Sequence, residues 1–188
     1  MKAVNQGQLL EKLEAEVERQ LQETIKVFQN LTEEELLKPA ANGGWSIAQC
    51  LAHLNSYGDY YLPRIKAGLE SQRDVSTAET YKSSWLGVLF TRMMDPATGK
   101  KKYKSIKEHT PPTELDAYAV VGEFVRQQEA LLAYLRLCQK TDLGSIQIPI
   151  SVLKWLHLNL GDILQFLVAH NQRHMCQARK SVFASAGQ

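Results

Sequence analysis

The stretch that decides the fold is residues 159–182, NLGDILQFLVAHNQRHMCQARKSV, near the end of the chain. Five of its side chains follow one another at steps of four, three, four and four residues, which is the spacing of one face of an α-helix; they are Ile163, Leu167, His170, His174 and Ala178. Two imidazoles therefore lie on adjacent turns within an apolar stripe. Because an uncompensated polar ring is costly to bury, the pair predicts a shared partner, and a divalent metal ion suits two neutral ring nitrogens.

The same pair also has an ordinary interpretation, in which one histidine is half-exposed and the other is satisfied by a carbonyl group. Two imidazoles alone hold a metal weakly, so a metal site requires a third ligand from elsewhere in the chain. His109 lies in a lysine-rich segment and is expected to be an exposed loop side chain, while His157 precedes the final helix and can satisfy a local carbonyl. Replacing either of them is expected to leave metal binding unchanged. His53 instead projects from a different predicted helix at the edge of its apolar face, which makes it the candidate third ligand.

Composition limits the classes of function. The 188 residues carry 22 basic and 20 acidic side chains, a formal charge of +2 that is too balanced for a dedicated nucleic-acid-binding protein. No apolar run reaches membrane-spanning length, so no membrane association is predicted. Cys50, Cys138 and Cys176 are odd in number and form no CxxC motif, which indicates a reducing, cytoplasmic location. We expect a single domain over residues 1–188.

Four long amphipathic helices are predicted from apolar repeats and capping residues, at about 5–29, 46–69, 113–140 and 159–183. Ser46 with Gln49 three residues later is a capping box that starts the second helix, and Thr113 is the expected cap of the third. Asn159 with Asp162 is expected to start the fourth. The predicted fold class is all-α, with the four helices packed as an antiparallel-type bundle.

Residues 70–112 form a long connection between the second and third helices. A short helix near residues 85–90 is expected to pack down, and the lysines between residues 100 and 107 are interpreted as solvated, with a phosphate or acidic ligand as the alternative. Residues 146–150 alternate weakly like a strand but have no evident partner strand, so we predict an extended connection there.

Two segments resemble the signatures of the DinB/YfiT-like superfamily. They are LTEEELLKPAANGGWSIAQCLAHL at residues 31–54, with Trp45, Ser46 and His53, and LNLGDILQFLVAHNQRHMCQARK at residues 158–180, with HxxRHxxQ. The resemblance implies a four-helix bundle of the DinB/YfiT-like type whose three histidines bind a metal, here His53, His170 and His174. Members of this superfamily include thiol-dependent transferases and an isomerase that uses low-molecular-weight thiols, so the resemblance implies related chemistry. It does not imply DNA binding.

Three neutral imidazoles leave a coordination position for water or substrate, as in catalytic metal sites, whether the metal is zinc, nickel or another divalent ion. The general base of HExxH metallopeptidases is missing, because no glutamate stands between His170 and His174. Further side chains near these ligands are candidates for orienting them or contacting a substrate: Gln49, Tyr57, Tyr60, Arg173 and Gln177. The tyrosines are otherwise core packing, and the arginine otherwise serves a surface or dimer ion pair.

Three functions follow from these observations. The first is a metal-dependent enzyme that transfers a small thiol or hydrolyses a small electrophile. The second is a metal-bound sensor or binding module without catalysis, and the third is a structural dimer. Long amphipathic helices can retain apolar surface after closing a bundle, so a homodimer is expected in each case.

Overall fold

The computed structural model describes residues 2–41, 43–72, 78–98 and 105–183, with side chains described as far as Lys180. The long helices are α1 (Gln6–Lys26), α3 (Ile47–Glu70), α5 (Ala117–Cys138) and α6 (Leu160–Phe183). Two shorter helices, α2 (Glu33–Leu37) and α4 (Trp85–Met94), and two single 3-10 turns at Phe28–Asn30 and Lys107–His109 lie between them. The chain is mostly helical, which confirms the predicted fold class.

The four long helices close into a ring. Helices α1 and α3 each pack against both α5 and α6, so each helix buries its apolar stripe between two neighbours. Helix α4 lies outside this ring against α6. Its first turn is held by Asp162 of α6, a fully buried carboxylate whose Oδ2 accepts a hydrogen bond from the Ser84 backbone N–H at 3.0 Å. The connection between the second and third long helices therefore carries a short packed helix, as predicted.

Local capping chemistry sets several of the helix starts. Ser46 with Gln49 forms the reciprocal capping box that the sequence predicts, and Thr32 with Glu35 forms a second one at the start of α2. The third long helix begins later than predicted, because the Asp116 carboxylate, and not Thr113, accepts the hydrogen bond from the Ala119 N–H that caps it.

Residues 146–150 are not an unpaired connection, which corrects the prediction. Strand β3 (Gln147–Ile150) pairs antiparallel with β4 (Leu153–Asn159), with an irregularity between Pro149 and Ile150. The partner strand was missed because most of β4 is exposed and its residues do not alternate regularly in burial. Asn159 ends β4 and directly precedes α6, which begins at Leu160 close to the predicted start. Its side-chain oxygen accepts a hydrogen bond from Gln147. A second, two-residue pairing joins β1 (Val4–Asn5) to β2 (Thr80–Tyr81).

Two apolar clusters fill the bundle, and the three candidate metal ligands lie where they meet. On α3, Leu51 belongs to the smaller cluster and Tyr57 to the larger one; on α6, Val168 belongs to the larger cluster and Met175 to the smaller one. The histidines occupy the turns between these residues, so their rings enter an apolar interior.

Two other sequence predictions concern membrane association and the lysine-rich segment. None of the helices in the described ranges is long and apolar enough to cross a membrane. Lys100, Lys101, Lys102 and Lys104 lie outside the described residues.

Candidate metal centre

Helix α3 positions the first histidine. Its capping box is closed by two reciprocal hydrogen bonds of 3.1 Å each, one from the Gln49 backbone N–H to Ser46 Oγ and one from the Ser46 N–H to Gln49 Oε1. These bonds fix the first turn, and His53 follows two turns later on the face directed at α6. The His53 side chain is only 3% exposed. Gln49 is thereby used in the cap of α3.

Helix α6 positions the other two histidines, and all three rings meet. His53 Nε2 lies 3.2 Å from His170 Nε2, and one ring nitrogen from each of His53, His170 and His174 lies within 4.8 Å of the others. The ring centroids are 4.5 Å apart for His53 and His174, and 4.8 Å apart for His170 and His174. We call these three residues the histidine cluster. Among the described residues no carboxylate or cysteine joins this group.

One hydrogen bond fixes the protonation state of His53. Its Nδ1 lies 2.7 Å from the main-chain carbonyl oxygen of His109. Because a carbonyl only accepts, Nδ1 carries the proton and donates, and Nε2 keeps its lone pair toward His170. Metal-binding histidines usually make this kind of outer hydrogen bond, which fixes the tautomer and the ring orientation.

His109 is not the exposed loop side chain that the sequence predicted. It is 5% exposed, and its ring stacks on Tyr57 with centroids 3.8 Å apart. The Lys107–His109 turn brings it onto α3, 56 residues away along the chain from His53. A long-range contact of this kind leaves no periodic signal in the sequence. The predicted position of His157 is confirmed, because this ring is exposed and its Nδ1 lies 3.3 Å from the Trp155 carbonyl oxygen.

Burial keeps these imidazoles neutral. It lowers the pKa of His53, lowers that of His170 well below the usual value, and lowers the pKa of His174 to about 3. The neighbouring imidazoles and Arg173 lower the pKa of both α6 histidines further, while Gln177 acts in the opposite direction on the pKa of His174. Neutral rings with available lone pairs are the form that binds a metal.

Aromatic side chains surround the histidine cluster. The Trp45 ring lies 4.9 Å from that of His53 and 5.8 Å from that of His174, and Phe166 stacks on His170 at 5.4 Å. Tyr57 contacts His170 edge-on at 4.4 Å, and burial raises the Tyr57 pKa to about 12, so its hydroxyl stays protonated. Of the three histidines His174 is the one that is partly exposed, which marks the side open to solvent.

The remaining candidates lie at different distances from the cluster. Arg173 Nη1 donates to the Met93 carbonyl at 3.2 Å and so ties α6 to α4. Tyr60 is separate, because its ring packs against Tyr61 and lies under the Arg64 guanidinium at 3.7 Å. Cys176 is not part of the group that could hold a metal among the described residues, which agrees with its position two residues after His174.

The arrangement fits a metal ion. Nδ1 of His170 and Nδ1 of His174 are buried without a hydrogen-bond partner among the described residues, and the Nε2 atoms of His53 and His170 face each other at 3.2 Å. Unpaired buried nitrogens are costly unless a ligand satisfies them. Three neutral nitrogens converging from two helices are a donor set for a divalent transition metal with an open position.

Comparison with known proteins agrees with this fold. A family model described as the DinB superfamily matches residues 16–178. The structure is similar to YfiT from Bacillus subtilis, which is described as a probable metal-dependent hydrolase with an unusual four-helix bundle topology. The TM-score is 0.56 at 16% identity, over 97% of this chain and 89% of that one. No curated protein sequence matches the chain.

Proposed function

The chain belongs to the DinB superfamily, and we propose that it is a metal-dependent enzyme whose His53, His170 and His174 bind one divalent ion. The observation that carries the proposal is the convergence of three ring nitrogens within 4.8 Å. The His53 ring is also held in the tautomer that suits metal binding through Nε2. The reaction we propose is attack by a metal-activated water or low-molecular-weight thiol on a small electrophile. The description of YfiT as a probable metal-dependent hydrolase supports water as the nucleophile, and the family resemblance supports a thiol.

A divalent ion bound by three imidazoles would supply a Lewis acid that favours loss of a proton from a bound water or thiol near neutral pH. The protein would contribute orientation and surroundings. His53 keeps its lone pair directed inward, and the rings of Trp45, Tyr57 and Phe166 limit access of bulk water. The protonated Tyr57 hydroxyl is placed to donate to a negatively charged oxygen of a substrate, and the Arg173 charge favours an anionic substrate group.

Metal content and metal accessibility test this proposal. We expect protein purified without added metal to contain about one divalent ion per chain, and we expect its cobalt(II) form to show a sulfur-to-cobalt absorption band when β-mercaptoethanol is added. Hydrolysis of p-nitrophenyl acetate and thiol transfer to 1-chloro-2,4-dinitrobenzene would distinguish the two reactions. The matched control is His157→Ala, which removes an exposed imidazole that contacts the Trp155 carbonyl and is not part of the histidine cluster.

The outcomes separate the candidate functions. A cobalt spectrum that no thiol changes, together with the absence of both activities, would leave a metal-bound sensor or binding module. Absence of any stoichiometric metal would leave the structural role.

We also propose that two copies of the chain pair through the surface of α4 and β4. These two elements contact each other, and each presents a largely exposed tryptophan, Trp85 at 70% and Trp155 at 75%. Large exposed aromatic side chains on adjacent elements are typical of interfaces. Light scattering is expected to show a dimer for the unmodified chain. The double variant Trp85→Asp and Trp155→Asp is expected to be a monomer. A monomer at all concentrations of the unmodified protein would contradict the pairing.

A further inference from the structure

We propose that the Lys107–His109 turn is a positioning element for the metal centre, in which the His109 carbonyl sets the tautomer of His53 and the His109 side chain anchors the turn. The effect on metal affinity rests on the proposed function, whereas the effect on the His53 tautomer does not. No local sequence feature ties this turn to the histidine cluster, and His109 lies outside the group of metal-ligand candidates.

The first step is the contact between the turn and the ligand. The His109 carbonyl oxygen accepts a hydrogen bond from His53 Nδ1 at 2.7 Å, with both residues buried. This oxygen follows a 3-10 turn in which the His109 N–H donates to the Ile106 carbonyl at 3.0 Å and the Thr110 N–H to the Lys107 carbonyl at 3.2 Å. The position of the oxygen thus depends on where the whole turn rests on α3.

The second step is the anchor. His109 Nδ1 lies 3.0 Å from Ser56 Oγ, and the Ser56 hydroxyl donates its one proton to the His53 carbonyl at 2.7 Å. His109 Nδ1 must therefore be the donor to Ser56. The His109 ring is also held by its stacked contact with the Tyr57 ring, at an interplanar angle of 26°.

The third step is the shared surface of α3. His53, Ser56 and Tyr57 stand at positions i, i+3 and i+4, so they form one continuous patch of the helix. The turn occupies that patch through three separate contacts, one to each of these residues. Tyr57 in turn contacts the His170 ring on α6. A displacement of the turn would thus reach a metal-ligand candidate on each of the two helices.

Outer hydrogen bonds of this kind typically change metal affinity by roughly 10- to 100-fold when they are lost. The sequence alone predicts no effect of replacing His109, but because its ring is buried on α3 we now expect His109→Ala to weaken zinc binding by about that factor. Ser56→Ala is expected to weaken it in the same direction by less. His109→Asn keeps a donor near the Nδ1 position and is expected to recover part of the loss. His157→Ala is the matched control, since it removes an exposed histidine and is expected to bind zinc like the unmodified chain.

The test combines two measurements on the full chain. Nitrogen-15 NMR of the metal-free protein reports the tautomer of His53, which we expect to be protonated at Nδ1 in the unmodified chain and mixed in His109→Ala and Ser56→Ala. Competition with a chelator of known affinity reports zinc binding. Ser56→Ala removes one hydroxyl only, so it keeps the test decisive if His109→Ala does not fold.

Each outcome has a separate meaning. An unchanged His53 tautomer and unchanged zinc affinity in both variants would overturn the positioning role and leave the proposed metal site intact. A shifted tautomer in protein that binds no zinc at all would support the positioning role and overturn the metal site. Loss of folding stability with an unchanged tautomer would show that the turn only packs, and would also overturn the inference.

Discussion

The bundle contains two buried polar regions, which differ in how far their donors and acceptors find hydrogen-bond partners within the protein. One is the histidine cluster, and the other is an amide cluster formed by Asn55, Gln127, Gln128 and Asn171, each at most 6% exposed. In the amide cluster donors meet acceptors: the Asn171 side chain donates to Gln128 Oε1 at 3.0 Å, and the Gln127 side chain donates to the Asn55 carbonyl at 3.2 Å and to Asp59 Oδ1 at 2.9 Å. In the histidine cluster Nδ1 of both α6 rings lacks a partner within the described part of the chain.

This difference separates a structural polar region from a binding region. His170 and Asn171 are consecutive on α6, so the same helix supplies both regions from adjacent faces. Amides that pair with one another join the helices, although one amide oxygen, Asn55 Oδ1, has no partner among the described residues. Imidazoles whose ring nitrogens converge are instead arranged to share an external ligand. The comparison therefore predicts that changes in the two regions will have different effects on metal binding and on folding.

Loss of a proposed metal ligand is expected to give the largest effect. Replacing His53, His170 or His174 by Ala should weaken zinc binding by more than about 100-fold, beyond the roughly 10- to 100-fold typical of outer hydrogen bonds, because we propose that each of them binds the metal directly. Metal stoichiometry after dialysis against a weak chelator measures this. Asn171→Leu alters the adjacent residue in the amide cluster and is expected to keep its metal. Full retention of metal by the triple His→Ala variant would contradict the site.

Acid should destabilise the metal-free protein through the histidine cluster. The unfolded-state histidines take up protons near pH 6.5, whereas the folded-state pKa values of His170 and His174 are lowered, that of His174 to about 3. The unfolded chain then binds more protons, and stability present above about pH 6.5 falls by up to about 1.4 kcal/mol per pH unit for each neutral histidine as pH decreases toward the folded values.

Denaturant unfolding at pH 7.5 and pH 5, with chelator present, measures this loss. A His170→Leu and His174→Leu double variant is expected to lose less stability between the two pH values. Equal losses in the two proteins would mean that other groups cause the acid sensitivity. With zinc bound, the same lowered pKa values are expected to preserve occupancy below the pH at which ordinary histidines lose metal.

Breaking the amide cluster should affect folding and leave the metal in place. Gln127→Leu removes three side-chain hydrogen bonds made by its amide nitrogen to α3 and to Glu123 of its own helix. We expect the free energy of unfolding to fall by about 1–3 kcal/mol, since the buried Asn55 carbonyl and two partly buried carboxylates lose their donor. Gln22→Leu, an exposed change on α1, is the matched control. A loss of zinc affinity comparable to that of a histidine variant would show that the two regions are one functional unit.

The smallest expected effect concerns the space that the amide cluster occupies. A Cβ added at Gly58 would lie 1.8 Å from Gln127 Oε1. Gly58→Ala gains helix propensity but displaces this amide, and we expect a net loss of about 1 kcal/mol. Combining it with Gln127→Ala should remove the clash, so the losses in unfolding free energy will not add. Simple additivity in the double variant would mean that the clash is relieved by other movements.

The helices and the histidine pair could be predicted from the sequence because both are determined locally. The step of three and four residues along α6 already places His170 and His174 on one face, and the capping box of Ser46 and Gln49 fixes the start of α3 two turns before His53. These patterns involve neighbours within a few residues of one another, and the structure follows them closely.

The tertiary structure alone decided what surrounds those ligands. The pairing of β3 with β4 could not be predicted, because β3 alternates in burial but its partner β4 is mostly exposed and does not alternate regularly. Nor does any local pattern place His109 on α3, where its carbonyl selects the His53 tautomer. Both depend on contacts between segments brought together by folding. The sequence by itself therefore determined that His170 and His174 share one face of a helix and that His53 borders the core. Only the packed chain determined that His109 joins them in the interior and that His53 carries its proton on Nδ1.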